Sequence, residues 1–157
     1  MGTEIERKFL VNRSLWHPPA GALRLIQGYL CAKSPISVRV RLIRQSATLT
    51  IKGPPSGAVR LECEYPIPLS DAQALLQLCK PFWIQKKRHH LRWAGRPWVV
   101  DEYEARNDGL IVAEVELTRK NEPVPLPPWV GLEVTADPRY KNARLALHPY
   151  ESWKRSP

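Results

Sequence analysis

The stretch Thr3-Glu4-Ile5-Glu6-Arg7-Lys8-Phe9-Leu10-Val11 decides the fold. In a β-strand, residues two apart point to the same side. One side of this stretch carries Glu4, Glu6 and Lys8, and the other carries Ile5, Arg7, Phe9 and Val11. The same alternation returns along the chain. Ser37, Arg39 and Arg41 oppose Val38, Val40 and Leu42, and Thr48, Thr50 and Lys52 oppose Leu49 and Ile51. Arg60, Glu62 and Glu64 oppose Leu61, Cys63 and Tyr65, and Glu114 and Glu116 oppose Ala113, Val115 and Leu117. The pattern weakens in 84–93, where Lys86 and Arg88 share a side, and again in 97–105, where Asp101 falls with Val99 and Tyr103.

Strands are therefore predicted near 3–11, 23–32, 37–44, 47–52, 58–67, 84–93, 97–105 and 110–119. Prolines and the loops Pro54-Pro55-Ser56-Gly57 and Asn107-Asp108-Gly109 punctuate them. Two helices are predicted. One runs from about Ser70, as N-cap, to Cys79, with Ala72, Leu75, Leu76 and Cys79 as its apolar stripe. The other covers Pro138 to Leu147, capped by Asp137. Eight strands and two helices in 157 residues give a single α+β domain. The expected architecture is an eight-stranded antiparallel β-barrel with flanking helices, which also removes exposed edges. The core is expected over about 2–148, with 149–157 as a tail.

The ionic sides hold seven acids (Glu4, Glu6, Glu62, Glu64, Asp101, Glu114, Glu116) and seven bases (Lys8, Arg39, Arg41, Lys52, Arg60, Lys86, Arg88). An open sheet with one solvated face laced by cross-strand ion pairs would give such a pattern. A solvated face, however, usually mixes in Ser, Thr, Asn and Gln, whereas this one is dense in Glu, Arg and Lys. Carboxylates at i, i+2 can share a hard divalent cation through oxygen. Paired Arg and Lys can hold phosphate oxygens. A site that needs both suits a polyphosphate with its metal. If the sheet closes with this face inward, its lumen requires a ligand or water, because buried charges need partners.

The net charge of +9 favours anionic partners. The ionic sets cancel, so the excess lies elsewhere, notably at Lys80, Lys87, Arg92, Arg96, Lys154 and Arg155. No run approaches the roughly 20 apolar residues that span a bilayer. Glu4 and Glu6 stand where a signal peptide would need basic then apolar residues, which predicts a soluble, cytoplasmic protein. Cys31, Cys63 and Cys79 are odd in number and scattered, and read as buried small hydrophobic residues. Glu102, Glu104 and Arg119 read as solvated charges, and the four histidines are not spaced as a metal site.

Glu4-Ile5-Glu6-Arg7-Lys8 matches the ExExK signature of the CYTH superfamily, the triphosphate tunnel metalloenzymes. Gln27-Gly28-Tyr29-Leu30, Val38-Arg39-Val40-Arg41, Thr50-Ile51-Lys52, Glu62-Cys63-Glu64-Tyr65, Val100-Asp101-Glu102-Tyr103, Ala113-Glu114-Val115-Glu116-Leu117 and Arg139-Tyr140-Lys141-Asn142 follow in the family's order. The chain resembles the short bacterial branch associated with hydrolysis of inorganic tripolyphosphate. The resemblance implies an antiparallel tunnel open at both ends, with a small-molecule triphosphate inside and one or two Mg²⁺ or Mn²⁺ ions.

By resemblance, Glu4, Glu6 and Glu116 are the metal carboxylates, with Glu114 beside them. Lys8, Arg39, Arg41, Lys52 and Arg88 grip phosphate, and Arg60 joins them from its place on the ionic face. Glu62, Glu64 and Asp101 serve a second metal or orient the attacking water. Tyr29 and Lys86 match a pair that helps to activate that water, with Glu64 as the alternative proton acceptor. Where relatives often show Lys-Thr-Arg-Tyr, this chain has Lys86-Lys87-Arg88-His89. Thiamine triphosphatase and class IV adenylyl cyclase use the same scaffold and stand as alternatives. A non-catalytic binder of polyphosphate or nucleic acid is a further one; nucleic acid is the less expected partner, and the basic excess outside the ionic sets could steer anions toward the site or bind RNA weakly. No membrane partner is expected, and a homodimer is compatible with the pattern.

Overall fold

The computed structural model describes residues 5–32, 35–56 and 59–154, with only the backbone described at 55, 56, 59 and 60. Glu4, on which one metal-ligand expectation falls, lies outside the described residues, as does the side chain of Arg60.

Among the described residues, nine strands form one sheet: β1 Ile5–Val11, β2 Leu23–Cys31, β3 Ser37–Ile43, β4 Ser46–Ser56, β5 Val59–Pro66, β6 Trp83–Trp93, β7 Arg96–Tyr103, β8 Ile111–Leu117 and β9 Val130–Glu133. Their order is β5-β4-β3-β2-β6-β7-β8-β1-β9, and every ladder is antiparallel. The eight expected strands are present, together with a short ninth. Among the described residues no ladder joins β5 to β9, so hydrogen bonding does not close the barrel. The sheet still curls into a tunnel-like trough. Side chains from β1, β3, β5, β6 and β8 line one common cavity, although β1 and β5 lie near opposite ends of the ladder.

The alternation explains the curl. The outer face of β1, β7 and β8 buries Phe9, Trp98, Val100, Ala113 and Val115 beneath Trp16 and Trp129 from connecting segments. The outer face of β3 and β4 buries Val40 and Ala47 under Ala72 and Leu76 of α1 (Leu69–Cys79). Gly28 of β2 lies where α1 ends, and a Cβ there would sit 2.5 Å from the Cβ of Cys79. Cys79 is buried as expected, whereas Cys31 and Cys63 are only half-buried.

The helices depart from their predicted starts. The first begins at Leu69, flanked by Pro68, whose carbonyl accepts the Ala72 N–H at 3.0 Å. Ser70 therefore sits inside the first turn rather than capping it, and its hydroxyl turns to Asp71 at 3.2 Å. Asp137 does cap, accepting the Arg139 N–H at 3.0 Å with Pro138 at the first position. That 3₁₀ turn ends at once, because Lys141 takes an extended ψ of 135°, and α2 (Asn142–Leu147) starts afresh. The expected single helix is thus broken, and the break places Asn142 at the trough.

The inner face is not ionic throughout. Tyr29, Ile84, Tyr103 and Val112 share its parity, and they pack with Leu145, Ala146, Tyr140 and Val134. Helix α2 and its neighbours therefore seal one end of the trough with apolar side chains. This is why 84–93 and 97–105 read as mixed: each strand begins in the apolar seal or ends there.

Candidate active site

Beyond the seal, the inner face becomes a dense set of charges. Lys8 on β1 lies opposite Glu114 on β8, and its Nζ donates to Glu114 Oε1 at 2.7 Å and meets Glu6 Oε1 at 3.0 Å. Burial weighs against the Lys8 charge, but Glu114 and Glu6 outweigh it and raise its pKa. Glu6 stands opposite Glu116 in the same ladder. Like charges directly opposite destabilise a ladder, and hard oxygen donors so placed suit a divalent cation. Among the described residues, no three acidic, histidine or cysteine side chains form a complete metal-binding group.

The wall of β3, β4 and β5 carries the next set. Arg39 donates to Thr50 Oγ1 at 3.1 Å, and Thr50 donates to Glu64 Oε2 at 2.8 Å. Lys52 pairs with Glu62 at 2.8 Å. Arg39 Nε is buried with no hydrogen-bond partner. A buried cationic donor left unsatisfied is costly, and its surroundings are those an anion would fill. Arg41 is pulled down to about 10, first by burial and then by the nearby Arg39 and Arg88 guanidinium groups. Cations crowded closely enough to help lower the pKa of Arg41 gain stability when an anion enters.

β6 and β7 hold the tightest cluster. Lys86 and Asp101 are both fully buried, with Nζ 2.5 Å from Oδ2. Arg88 grips the same carboxylate with two bonds of 2.8 Å each. Asp101, although buried, is held far below the usual carboxylate range by Lys86 and Arg88. Burial lowers Lys86 to about 8 despite Asp101. Both Asp101 oxygens are thus engaged by cations, with three bonds on its roughly four acceptor positions, so in this arrangement Asp101 orients Lys86 and Arg88.

The trough brings Glu6, Lys8, Arg39, Arg41, Lys52, Glu62, Glu64, Arg88 and Glu114 around one cavity of about 250 Å³. Tyr29 opens on an adjoining cavity of about 410 Å³ with Lys8, Arg39 and Lys52. Glu116 lines a third of about 510 Å³, on the Glu6 and Glu114 side. Lys86 and Asp101 share the inner parity with Arg88 but line none of these three cavities.

Three contributors were not singled out in the sequence. Asn142 accepts from Tyr103 OH at 2.9 Å and from Lys86 at 3.3 Å. Thr50 links Arg39 to Glu64. Gln27, wholly buried, accepts from Arg41 Nε at 3.2 Å and donates to Tyr29 OH at 3.1 Å. Parity alone places Gln27 with Tyr29 and Thr50 with Lys52, but neutral side chains do not stand out in a charge pattern. Two charges read as solvated prove to be partnered on the outer surface. Glu102 accepts from Trp16 Nε1 at 2.7 Å, and Glu104 pairs with Arg24 at 3.1 Å.

The sequence profile of the CYTH domain matches residues 2–146. An inorganic triphosphatase of Acetivibrio thermocellus is 41 % identical over 155 residues, covering 98 % of this chain and 99 % of that protein. An inorganic triphosphatase of Nitrosomonas europaea is 34 % identical over 154 residues, covering 92 % of this chain and 97 % of that one. A crystal structure of an inorganic triphosphatase superposes with a TM-score of 0.72 at 32 % identity, covering 94 % of this chain and 96 % of the other.

Proposed function

The chain belongs to the CYTH domain family, and from that membership we propose that it hydrolyses inorganic tripolyphosphate with a divalent metal, Mg²⁺ or Mn²⁺. The observation that carries this reading is the lumen, where five basic side chains face one cavity beside paired carboxylates.

Lys8, Arg39, Arg41, Lys52 and Arg88 bind the phosphate oxygens, and Arg60 is assigned to the set from the sequence alternation alone. The unpartnered N–H donor at Arg39 Nε supports this assignment. Glu6, Glu114 and Glu116, with Glu4 ahead of them on the same parity, would hold the metal, and their hard oxygens fit it. Glu62 could complete a second site only by giving up Lys52. A divalent ion held there would supply charge neutralisation at the phosphate oxygens and a lower pKa for its water. Otherwise the work is positioning and electrostatic stabilisation, as phosphoryl transfer demands.

Water attacks the terminal phosphorus. Of the three candidates for its proton, Lys86 and Tyr29 arrive protonated at neutral pH, since Lys86 titrates near 8 and burial raises Tyr29. Glu64 is a carboxylate held by Thr50 and half open to the cavity, so it takes the proton. Asp101 positions Lys86 and Arg88.

The test is phosphate release from tripolyphosphate, thiamine triphosphate, ATP and pyrophosphate, each with Mg²⁺ and with Mn²⁺. Tripolyphosphate is expected to be turned over fastest. Tight binding with no turnover of any triphosphate would sink the enzyme reading, and cyclic AMP from ATP would reassign it as a cyclase.

A further inference from the structure

Gln27 is a neutral amide, wholly buried, on the inner face between Arg41 and Tyr29. Buried polar groups are rarely idle. Its orientation is determined by chemistry. The Arg41 guanidinium is a donor only, so the atom facing Arg41 Nε at 3.2 Å must be the amide oxygen. The amide nitrogen then faces Tyr29 OH at 3.1 Å and donates to it. The Arg39 guanidinium is a further cationic neighbour of that hydroxyl, and it too can only donate.

A tyrosine hydroxyl has one proton and two lone pairs. Here the Gln27 N–H takes one lone pair and Arg39 offers no acceptor, so the proton points away from both. Burial raises the phenol pKa against the pull of Arg39 and Arg41, so the proton is present. Tyr29 opens on the cavity it shares with the cations Lys8, Arg39, Lys52 and Lys141, and with Glu6, Ser37 and Asn142. Among the described residues no hydrogen bond has the Tyr29 hydroxyl as its donor, so its proton is open to an anion that those four cations draw into the cavity.

We propose that Gln27 is a positioning residue that passes the donor polarity of Arg41 to Tyr29, and so fixes the Tyr29 hydroxyl as a hydrogen-bond donor to the bound triphosphate. Tyr29 then touches the substrate as an electrophilic partner, and the proton of the attacking water goes elsewhere. The inference rests on the triphosphatase reading for its ligand.

The experiment compares Gln27→Glu in two backgrounds, wild type and Tyr29→Phe. The new carboxylate still accepts from Arg41, which preserves the fold, but it also accepts from Tyr29 and draws its proton off the substrate. Its added negative charge repels the triphosphate equally in both backgrounds. The ratio of the two effects therefore isolates what passes through the hydroxyl.

Two quantities are read: kcat/KM for tripolyphosphate with Mg²⁺, and the Kd for tripolyphosphate in EDTA. The expected result is that Gln27→Glu is at least about 10-fold more damaging with Tyr29 than with Phe at that position, the scale of one charge-assisted hydrogen bond. An equal cost in both backgrounds would overturn the proposal. If the wild type turns over no triphosphate, the function reading fails by itself, while the Kd ratio still decides the role of Gln27. Urea midpoints check folding, and Gln27→Met, which breaks the relay without charge, carries the same comparison if Gln27→Glu does not fold.

Discussion

At the residue scale, Asp101 holds the most exposed liability of the lumen. It is buried without solvent access and binds Lys86 once and Arg88 twice. Asp101→Ala would leave two buried cations without their anion, a change that costs about 3–5 kcal/mol where it has been measured in buried pairs. Urea unfolding at pH 7 should show a loss of that size. The sign of its pH dependence follows from the lowered pKa. A carboxylate whose folded pKa is depressed gives stability that is complete above its unfolded pKa and disappears as pH falls through the folded one. The advantage of wild type over Asp101→Ala should therefore be undiminished at pH 5 and shrink only below about pH 4, near the unfolded Asp value. A gap already closed at pH 5 would show that Asp101 is not held ionised by these bases. Parity allowed Lys86, Arg88 and Asp101 to be read as members of one ionic set. It did not reveal that they bind one another, because register between β6 and β7 aligns Arg88 with Asp101 only once the turn is formed.

At the element scale, the helix–sheet contact at Gly28 is the tightest fit. A Cβ there would meet Cys79 Cβ at 2.5 Å and Sγ at 2.7 Å, with Leu76 at 3.2 Å. Gly28→Ala should destabilise the fold by about 1–3 kcal/mol, as overpacking does. Cys79→Gly should recover part of the loss in thermal unfolding, since it removes both clashing atoms. No recovery would mean that the strain lies in β2 itself. Most strands were legible because period-two alternation survives wherever one face is ionic. β9 was not, since four residues after a proline-rich run carry too little pattern. It forms because β1 offers a free edge, which Phe9 and Val11 pair with Glu133 and Val130. The break at Lys141 was hidden for a related reason. The apolar spacing of 138–147 is helical, but tertiary contacts at Asn142 set where α2 begins.

At the scale of the whole molecule, the lumen is a stability cost that its ligand removes. Charges withdrawn from water need counter-charges, and here one guanidinium nitrogen is buried without a partner while Arg41 is depressed by its fellow cations. The acids offset part of this through the Lys8–Glu114, Lys52–Glu62 and Lys86–Asp101 pairs. A triphosphate carries several negative charges into the same space, so it binds the folded chain and not the unfolded one. Mass action then gives about 2.7 kcal/mol at 100 times Kd, or a rise in Tm on the order of 5–10 °C for a domain of this size. The measurement is thermal unfolding with tripolyphosphate in EDTA, where no metal supports turnover. Sulfate at matched ionic strength controls for screening, which weakens charge repulsion anywhere on a +9 surface. The shift should be specific to tripolyphosphate and should collapse in Arg39→Ala, the variant that removes the unpartnered donor. An equal rise with sulfate, or a full shift in Arg39→Ala, would place the effect on the outer surface. The lumen would then be stable through its own ion pairs alone.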